Sequence, residues 1–370
     1  EGVSRREMSF LLPALVFGGI LVGLAAALTV AERLLVNYGV CKIDINDGDR
    51  ELEVDGGQSL LSALNESKLF IPSACGGRGS CGYCKATVLE GGGPLLPTEA
   101  PFLNRAETRS GVRLACQVKV REDMRIKVPA DVLNVKQFAA TVSSMKTLTH
   151  DMVEATFALD EPAEIEQRAG QYVQITAPSP EGPIQRAYSI SSPPSDATHV
   201  QVVVRLVPDG IGSTYIHNLE EGDEVSFTGP YGEFRLNEEP DVEVVCVGGG
   251  SGMAPLKNVI LTVLERWPER RCWLFFGCRG ESDIFYLEDF QELEKKHPNF
   301  KVIYALSEPE GGGGWSGDTG FIHLSVDKHL GSEDPRRQAF LCGPPPMVEA
   351  VMKVLETKGL KDEDIFYDEF

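Results

Sequence analysis

The sequence lacks a surplus of positive charge, and this limits the partners that the protein can have. Its 370 residues include 35 Lys and Arg side chains against 55 Asp and Glu side chains, for a formal net charge of −20. A chain this acidic is repelled by phosphate backbones and by anionic lipid surfaces. Low-complexity tracts and internal repeats are also absent. These features argue against nucleic acid as a partner and predict a globular protein of about two or three domains.

The nine cysteines lack the regular pairing of a disulfide scaffold. Three lie in the glycine-rich stretch "SACGGRGSCGYC", and a fourth follows downstream, giving the set Cys75-x5-Cys81-x2-Cys84-x31-Cys116. Structural zinc sites usually consist of two separated pairs of ligands. Three close ligands and one distant ligand are typical of plant-type 2Fe-2S ferredoxins, here with one extra residue in the first gap. We predict that these four residues are the metal ligands of a 2Fe-2S cluster; a zinc loop or buried thiols are the alternatives.

Glycines occupy the spaces between these cysteines. Gly76, Gly77, Gly79 and Gly82 allow the loop to wrap tightly around a cluster and to direct backbone N–H groups at the sulfurs. Such hydrogen bonds tune the reduction potential of a cluster. The other five cysteines are scattered singly along the chain. An iron–sulfur loop together with unpaired cysteines indicates a reducing compartment.

One long apolar run is present, near the start of the chain. No charged side chain occurs between Met8 and Ala31. A helix of this length rises roughly 36 Å at about 1.5 Å per residue, enough to cross the hydrocarbon core of a bilayer. A signal peptide is the alternative, but its apolar region is usually only about 7–15 residues long. We predict a retained transmembrane anchor over residues 1–35; basic residues on both sides leave its orientation open.

The pattern after this run divides the chain into three further parts. Alternating strands, the helical stretch "SLLSALNES" and the cysteine loop predict a β-grasp-like ferredoxin domain over 36–132. Short alternating strands through "FTGPYGEF" predict an antiparallel β-barrel over 133–236. From 237 to 370, apolar strands alternate with helices, which predicts a parallel α/β sheet. The expected fold class is therefore multidomain, α+β and α/β, with one transmembrane helix.

Two motifs in the predicted barrel suit a flavin. The strand "RAYSISS" supplies a cation at Arg186, a flat ring at Tyr188 and a hydroxyl at Ser189. Tyr188 can face an isoalloxazine ring, and Ser189 can reach the flavin N5 atom, where hydride arrives. The stretch "PDGIGSTYIHNL" then opens a predicted helix with Gly212, Ser213 and Thr214. A cationic side chain and a glycine–hydroxyl helix start can together bind a pyrophosphate.

Two motifs in the α/β part suit a nicotinamide dinucleotide. The stretch "VGGGSGMAP" joins a strand to a helix and contains Gly248, Gly249, Gly250 and Gly252. Its amides can cradle a phosphate, although the glycines are not in the register of the Rossmann fingerprint. The stretch "LCGPPPM", with Cys342 and Gly343, follows another strand at the carboxyl edge, where open α/β sheets bind ligands. Cys342 can lie against a nicotinamide or flavin ring; an ordinary buried thiol is the alternative.

In their order along the chain, "CGGRGSCGYC", "RAYS", "GIGST", "GGGSG" and "CGPP" make the sequence similar to the ferredoxin–NADP reductase superfamily. With the cysteine loop and the apolar run before them, the chain resembles the family of F subunits of the Na+-translocating NADH:quinone oxidoreductases. The resemblance implies FAD at Arg186, Tyr188 and Ser189, with its pyrophosphate at Gly212–Thr214. It further implies that the terminal Phe370 shields the flavin ring. Gly249, Gly250 and Cys342 then line the NADH site, and Ser189 and Cys342 are the candidate catalytic residues.

The resemblance also implies a function and a location. Hydride passes from NADH to FAD, and single electrons continue to the 2Fe-2S cluster, to partner membrane subunits and to quinone, with Na+ translocation by the complex. The implied location is the bacterial inner membrane, with the catalytic domains in the cytoplasm. Typical family members carry a longer, aromatic-rich insertion before "RAYS", where this chain has only "APSPEGPIQ". That difference bears on contacts with partner subunits.

Two other functions share part of this pattern. The reductase component of a multicomponent oxygenase has the same order of ferredoxin, flavin and nicotinamide domains but is generally soluble. The apolar run Met8–Ala31 therefore distinguishes the two enzymes. A non-enzymatic iron–sulfur adaptor with a relic nucleotide-binding fold is the third possibility. Ser189, Cys342 and both glycine loops argue against the adaptor.

Overall fold

The computed structural model describes residues 16–25, 38–73, 75–180, 182–232, 234, 236–309, 314–331 and 336–369. These residues form two compact units. One unit comprises the described residues up to Ile71 together with Gly77–Ala130, and the other comprises Pro72–Gly76 and the chain from Asp131 onward. The prediction of more than one domain is therefore confirmed in its coarse form.

The predicted membrane span, Met8–Ala31, lies largely outside the described residues. Residues 16–25 form helix α1, and its apolar side chains are exposed, with Phe17 at 65% and Val22 at 70%. Ten helical residues rise only about 15 Å, roughly half of the hydrocarbon core. Among the helices in the described ranges, none combines the length and the apolar character needed to cross a membrane. The structure does not bear out the transmembrane helix, which stays a prediction.

The first unit is built on a five-stranded mixed sheet. Its strands are β1 (Val40–Ile45), β2 (Arg50–Asp55), β3 (Lys85–Glu90), β4 (Val112–Leu114) and β5 (Met124–Lys127), and its helices are α2 (Leu60–Glu66) and α3 (Arg105–Arg109). The strand order is β2-β1-β5-β3-β4, with β1 and β5 parallel and the other pairs antiparallel. Alternation in "VCKIDI" buries Cys41, Ile43 and Ile45 on one face. The Ser59 side chain caps α2 by accepting from the Ser62 N–H.

The second unit begins with an antiparallel sheet of six strands. Its strands are β6 (Lys136–Thr149), β7 (Met152–Glu161), β8 (Tyr172–Ala177), β9 (Ile184–Ser189), β10 (His199–Arg205) and β11 (Glu224–Tyr231), with the short helices α4 (Ala130–Leu133) and α5 (Ile211–His217). The strand order is β10-β7-β6-β11-β8-β9, and a bridge from Ile190 to Val202 joins the two edges. Buried rings fill its centre, where Phe138 and Phe227 stack with centroids 5.3 Å apart. Joined edges leave few unpaired backbone groups, as expected of a barrel.

A parallel sheet of six strands completes the second unit. Its strands are β12 (Glu243–Gly248), β13 (Cys272–Cys278), β14 (Phe300–Leu306), β15 (Asp318–Thr319), β16 (Arg337–Gly343) and β17 (Ile365–Glu369); its helices are α6 (Met253–Arg266), α7 (Leu287–Lys296), α8 (Ile322–His329) and α9 (Pro345–Thr357). Every residue of β12 and β16 is buried, because helices cover both faces. One buried cluster contains residues of α6 and α7, and another contains residues of α8 and α9.

The order of these parallel strands places a crevice at a defined position. The order is β15-β14-β13-β12-β16-β17, so the sequence of strands reverses direction between β12 and β16. Open α/β sheets bind ligands outside the carboxyl ends of the strands at such a switch point. Here those carboxyl ends are Gly248 and Gly343. The two glycine-containing motifs of this domain therefore meet at one edge of the sheet.

Candidate functional site

The structure brings together three of the four predicted cluster ligands. The Cys84 and Cys116 thiols hydrogen-bond each other, and Cys81 lies close enough to act on Cys84 electrostatically. The hydrogen bond with Cys116 and then burial raise the pKa of the Cys84 thiol. A coordinated metal reverses this, because a metal-bound thiol is deprotonated outright. Cys75 is half-buried and belongs to the segment Pro72–Gly76, which clusters with the second unit.

The donor set suits a two-iron cluster. A 2Fe-2S cluster takes its four cysteines as one pair for each iron, so that close pairs of thiols are the relevant geometry. The buried pair of Cys84 and Cys116 has this geometry. These residues therefore fit the predicted cluster.

The loop glycines adopt left-handed backbone conformations. The φ angles of Gly76, Gly77, Gly79 and Gly82 are 65°, 84°, 75° and 73°. Non-glycine residues rarely adopt this left-handed region. A Cβ atom at Gly79 would also crowd the amide of Gln117, since it would lie 2.6 Å from Nε2. Gln117 thus packs directly on the cysteine loop.

The flavin motifs of the barrel converge on each other. A Cβ atom on Gly212, in the first turn of α5, would lie 2.6 Å from the Tyr188 hydroxyl and 2.7 Å from Cγ of Arg186. Glycine at this position therefore allows strand β9 and helix α5 to approach. Burial raises the pKa of Tyr188 to about 12, against a lowering effect of Arg186, so the phenol stays protonated near neutral pH. The arrangement therefore brings the Arg186 side chain, the Tyr188 phenol and the backbone of Gly212 close together.

The hydroxyl residues of these motifs differ in their surroundings. Ser213 is buried, and its Oγ accepts a hydrogen bond from the Val207 N–H and donates to the Gly210 carbonyl, both at 3.1 Å. Its hydroxyl therefore closes the turn before α5. Thr214 is exposed and Ser189 is half-buried. Both of these hydroxyls remain candidates for direct contact with a ligand.

The glycine loop after β12 is packed against the ends of its two neighbouring strands. A Cβ atom on Gly248 would lie 2.6 Å from the Cys342 carbonyl oxygen, and one on Gly252 would overlap the same oxygen. A Cβ atom on Gly249 would overlap the carbonyl oxygen of Gly277 in β13. Glycine is thus required by close approach, and the loop amides are held at the switch point. This cradle fits a dinucleotide phosphate.

Cys342 lies at the same switch point, and its thiol is buried. The residue is fully buried, and burial followed by the charge of Asp368 raises the pKa of its thiol. A neutral thiol behaves as a small polarizable group that packs against rings. Strand β17 pairs with β16 beside it, aligning Cys342 with Asp368. Phe370, the predicted shield of the flavin ring, lies outside the described residues.

Three family models match consecutive parts of this chain. Residues 43–121 match a 2Fe-2S iron-sulfur cluster binding domain. Residues 139–236 match an oxidoreductase FAD-binding domain, and residues 246–353 match an oxidoreductase NAD-binding domain. The predicted cofactors, FAD, a 2Fe-2S cluster and a nicotinamide dinucleotide, are confirmed at the level of these domains.

Curated relatives match almost the whole chain. A protein of Neisseria meningitidis, described as the F subunit of a Na(+)-translocating NADH-quinone reductase, is 38% identical, covering 98% of this chain and 100% of the relative. The relative of the same description in Klebsiella pneumoniae is 34% identical with the same coverage. The chain belongs to this F-subunit family. The alignments extend over 405 and 406 positions, so the relatives contain residues that this shorter family member lacks.

Solved structures share the fold of this F-subunit family member. A cytochrome P450 reductase, GcoB, from Amycolatopsis has a TM-score of 0.72 at 29% identity, covering 89% of this chain and 98% of that one. A ferredoxin reductase in carbazole 1,9a-dioxygenase has a TM-score of 0.69 at 28% identity, covering 90% and 99%. The multidomain ferredoxin reductase-like fold is therefore confirmed.

Sequence reasoning missed a cation beside the NAD-binding loop. A Cβ atom on Gly250 would lie 2.8 Å from Nη2 of Arg205, the last residue of β10 in the FAD-binding domain. Arg205 is half-exposed and also pairs with Asp151, with Nε and Oδ2 3.2 Å apart. A guanidinium group at a glycine loop suits a phosphate. The only signal in the sequence is a single charge at the end of the apolar strand "HVQVVVR".

Two polar clusters, one partly buried at Lys257 and one buried at Asn258, join the FAD-binding barrel to the NAD-binding sheet through consecutive residues of α6. Lys257 Nζ donates to Oε2 of Glu154 in the barrel at 2.9 Å. Asn258 Nδ2 donates to Oε1 of Gln167 at 3.1 Å and to the Ser192 carbonyl at 2.7 Å. Buried polar groups are costly unless they are paired, so these contacts favour one relative position of the two domains. Hydride transfer requires such fixed positioning of donor and acceptor.

Proposed function

We propose that this chain is the electron-entry subunit of a Na+-translocating NADH:quinone oxidoreductase. In this role hydride is taken from NADH onto FAD, and electrons leave singly through the 2Fe-2S cluster to partner membrane subunits and quinone. The observation that carries the proposal is the match to F-subunit relatives over 98% of this chain. Na+ translocation then belongs to the assembled complex, since a single anchoring helix offers no ion path.

Each group has residues in this chain that would hold it. FAD, when bound, accepts two electrons as hydride and releases them one at a time. Arg186 and the start of α5 would bind its pyrophosphate, Tyr188 would pack on its ring, and the Ser189 hydroxyl would hydrogen-bond near N5. Phe370 would cover the other side of the ring. Cys75, Cys81, Cys84 and Cys116 would hold the two irons.

The nicotinamide nucleotide would lie along the edge between β12 and β16. The amides of Gly248, Gly249, Gly250 and Gly252 would cradle its phosphates, and Arg205 would add a positive charge. The neutral Cys342 thiol and Gly343 would pack beside the nicotinamide ring.

A direct assay tests whether the chain is an enzyme. Purified protein loaded with FAD is expected to oxidise NADH with ferricyanide as acceptor. An iron–sulfur adaptor with a relic nucleotide fold would retain the cluster spectrum and show no NADH oxidation. That outcome would refute the proposed function.

We further propose that residues 1–35 anchor the chain in the bacterial inner membrane, with the catalytic domains in the cytoplasm. The F-subunit relatives match 98% of this chain, so the match includes most of the apolar segment Met8–Ala31. NADH is an intracellular metabolite, and free thiols with an iron–sulfur site suit a reducing compartment. An anchor would raise the effective concentration of the cluster near an acceptor in the same membrane.

Deleting residues 1–35 is expected to separate two activities. NADH oxidation by ferricyanide should stay near the value of the full chain, since neither cofactor site includes these residues. Quinone reduction in membranes containing the partner subunits should fall by about tenfold or more, because tethering is lost. Equal quinone reduction by the truncated and full-length proteins would contradict the anchor.

NADH is expected to be preferred over NADPH. At the carboxyl end of β13, Arg279 is exposed and could pair with a 2′-phosphate, but Glu281 lies beside it and would repel that phosphate. A carboxylate can instead accept a hydrogen bond from a free ribose hydroxyl. Asp283 is engaged within the turn, where its Oδ2 accepts from the Gly280 N–H at 3.1 Å. We therefore expect Glu281 to carry the discrimination.

The measurement is kcat/KM for both nucleotides. A preference for NADH of roughly tenfold corresponds to about 1.4 kcal/mol. Glu281→Ala should reduce this preference, while Asp283→Asn serves as the neighbouring control and should change it less. Comparable kcat/KM values for NADH and NADPH in the unaltered protein would overturn the prediction.

A further inference from the structure

Gln117 contacts both a proposed cluster ligand and the loop that carries the others. Its Nε2 donates to the Cys116 sulfur at 3.5 Å. The same amide nitrogen packs against the backbone at Gly79, where a Cβ atom would lie 2.6 Å from it. The side chain is only half-buried, but its amide group is held at the sulfur by these two contacts. Hydrogen bonds to the sulfurs are one of the factors that set the potential of an iron–sulfur cluster.

A second residue orients this amide. Thr98 Oγ1 donates to the Gln117 Oε1 at 2.9 Å, which occupies the amide oxygen and leaves Nε2 facing sulfur. The reverse orientation would turn a partly negative oxygen toward a thiolate. Because a thiolate can only accept hydrogen bonds, the arrangement with Nε2 toward Cys116 is the favourable one.

A buried ion pair fixes the distance between Thr98 and the end of β4. Glu99 is fully buried, and its carboxylate accepts from the backbone N–H of Leu96 and from that of Leu114, each at 2.9 Å. Arg113 Nη2 donates to the same carboxylate at 2.7 Å. One carboxylate therefore joins the segment that carries Thr98 to the segment that carries Cys116. The hydrogen bonds that run from Thr98 through Gln117 to Cys116 therefore have both of their ends held in place by the Glu99 carboxylate.

We propose that Thr98 and Gln117 are positioning residues that raise the reduction potential of the 2Fe-2S cluster. The inference rests on the proposed function, in which Cys116 is a cluster ligand. Reduction adds one electron and hence one negative charge to the cluster, and no bond to the protein forms or breaks. A donor N–H at the Cys116 sulfur stabilises the more negative, reduced state more than the oxidised state. Removing it should therefore lower the potential.

The test is a redox titration of the full-length protein, followed by the electron paramagnetic resonance signal of the reduced cluster. Gln117→Leu removes the donor and is expected to lower the equilibrium constant for one-electron reduction about tenfold, which is about 59 mV. Gln117→Glu places a carboxylate beside the sulfur and should lower the potential further. Thr98→Val leaves the amide in place but unoriented, and should give a smaller shift in the same direction.

Gln58→Leu is the matched control, because it removes a glutamine of the same unit whose Nε2 donates to Glu66 at 3.0 Å and not to sulfur. The inference is overturned if Gln117→Leu keeps the unaltered potential, or if Gln58→Leu shifts it equally. If Gln117→Leu fails to assemble a cluster, the Thr98→Val variant tests the inference instead. Thr98 is exposed and distant in sequence from the ligand positions. In that case, a Thr98→Val protein with an unshifted potential overturns the inference. A missing 2Fe-2S signal in the unaltered protein would refute the proposed function itself.

Discussion

Cys81→Ala is expected to abolish the visible absorbance of the 2Fe-2S cluster while leaving reduction of the flavin by NADH intact. Cys81 lies in the same group as the buried pair Cys84 and Cys116, and an iron that loses one of its two thiolates is not retained. The FAD and NAD motifs lie in other matched domains, at 139–236 and 246–353. Electron transfer beyond the flavin should therefore fail, and hydride transfer to it should not.

The measurement combines the absorbance spectrum with stopped-flow reduction of the flavin by NADH. Cys41→Ala is the matched control, because Cys41 is a buried thiol of the same unit that contacts the Tyr38 carbonyl rather than the cysteine loop. This control should keep the full cluster spectrum. Loss of flavin reduction in a Cys81→Ala protein that still binds FAD would contradict the proposed division of tasks between the domains.

Glu99→Gln is expected to destabilise the first unit by about 3–5 kcal/mol, the usual consequence of leaving one charge of a buried ion pair without its partner. Glu99 is fully buried, and its side-chain partner Arg113 is 8% exposed. Arg113 also donates to the carbonyl groups of Gly92, Gly93 and Pro94, so loss of the carboxylate disturbs the loop before Glu99 as well. Urea unfolding followed by the cluster absorbance reports on this unit.

The pH dependence of this difference has a definite sign. Burial raises the pKa of Glu99, but the hydrogen bonds from Arg113 and from the backbone outweigh burial, and the net pKa is lowered. A lowered pKa in the folded state adds stability that is complete above the pKa of a free glutamate, about 4.3. That stability is lost as the pH falls through the lowered value. As the pH falls below about 4.3, the stabilities of the unaltered protein and Glu99→Gln should therefore approach each other, and they should converge fully only below the lowered pKa of Glu99.

Glu51→Gln is the control for a surface pair. Glu51 and its partner Lys42 are 61% and 57% exposed, and exposed pairs are screened by water and salt. This variant should show no measurable change in urea unfolding. If it destabilised the unit as much as Glu99→Gln, burial of the Glu99–Arg113 pair would not explain the effect.

Local spacing made the domains and the cofactors predictable. The cysteine set and its glycines lie mostly within ten residues, so their pattern alone predicts a cluster loop, and the 2Fe-2S domain match confirms the predicted cofactor. The order of short motifs likewise predicted FAD-binding and NAD-binding domains. The apolar run Met8–Ala31 is the exception, since the described residues contain no spanning helix and the anchor stays a proposal.

The residues that surround these motifs were not predictable in the same way. Arg205 reaches the loop at Gly250 from a different domain. Thr98 hydrogen-bonds Gln117, which lies 19 positions later in the sequence. Glu99, next to Thr98, accepts a hydrogen bond from the N–H of Leu114 at the end of β4. Nothing in the sequence around any one of these residues marks its partner.

The sequence by itself determined the identity of the cofactors and predicted the cysteine ligand set and the glycine loops, because most of these motifs consist of residues a few positions apart. Tertiary structure decided which backbone carbonyl lies too close to each glycine for a side chain, as the Cys342 carbonyl does for Gly252. It also decided which side chains contact the predicted cluster ligands. The approach of Gly252 to Cys342 depends on strand order, because the order reverses between β12 and β16 and makes these two strands neighbours. Strand order follows from packing of the whole chain, and for that reason local pattern could not supply it.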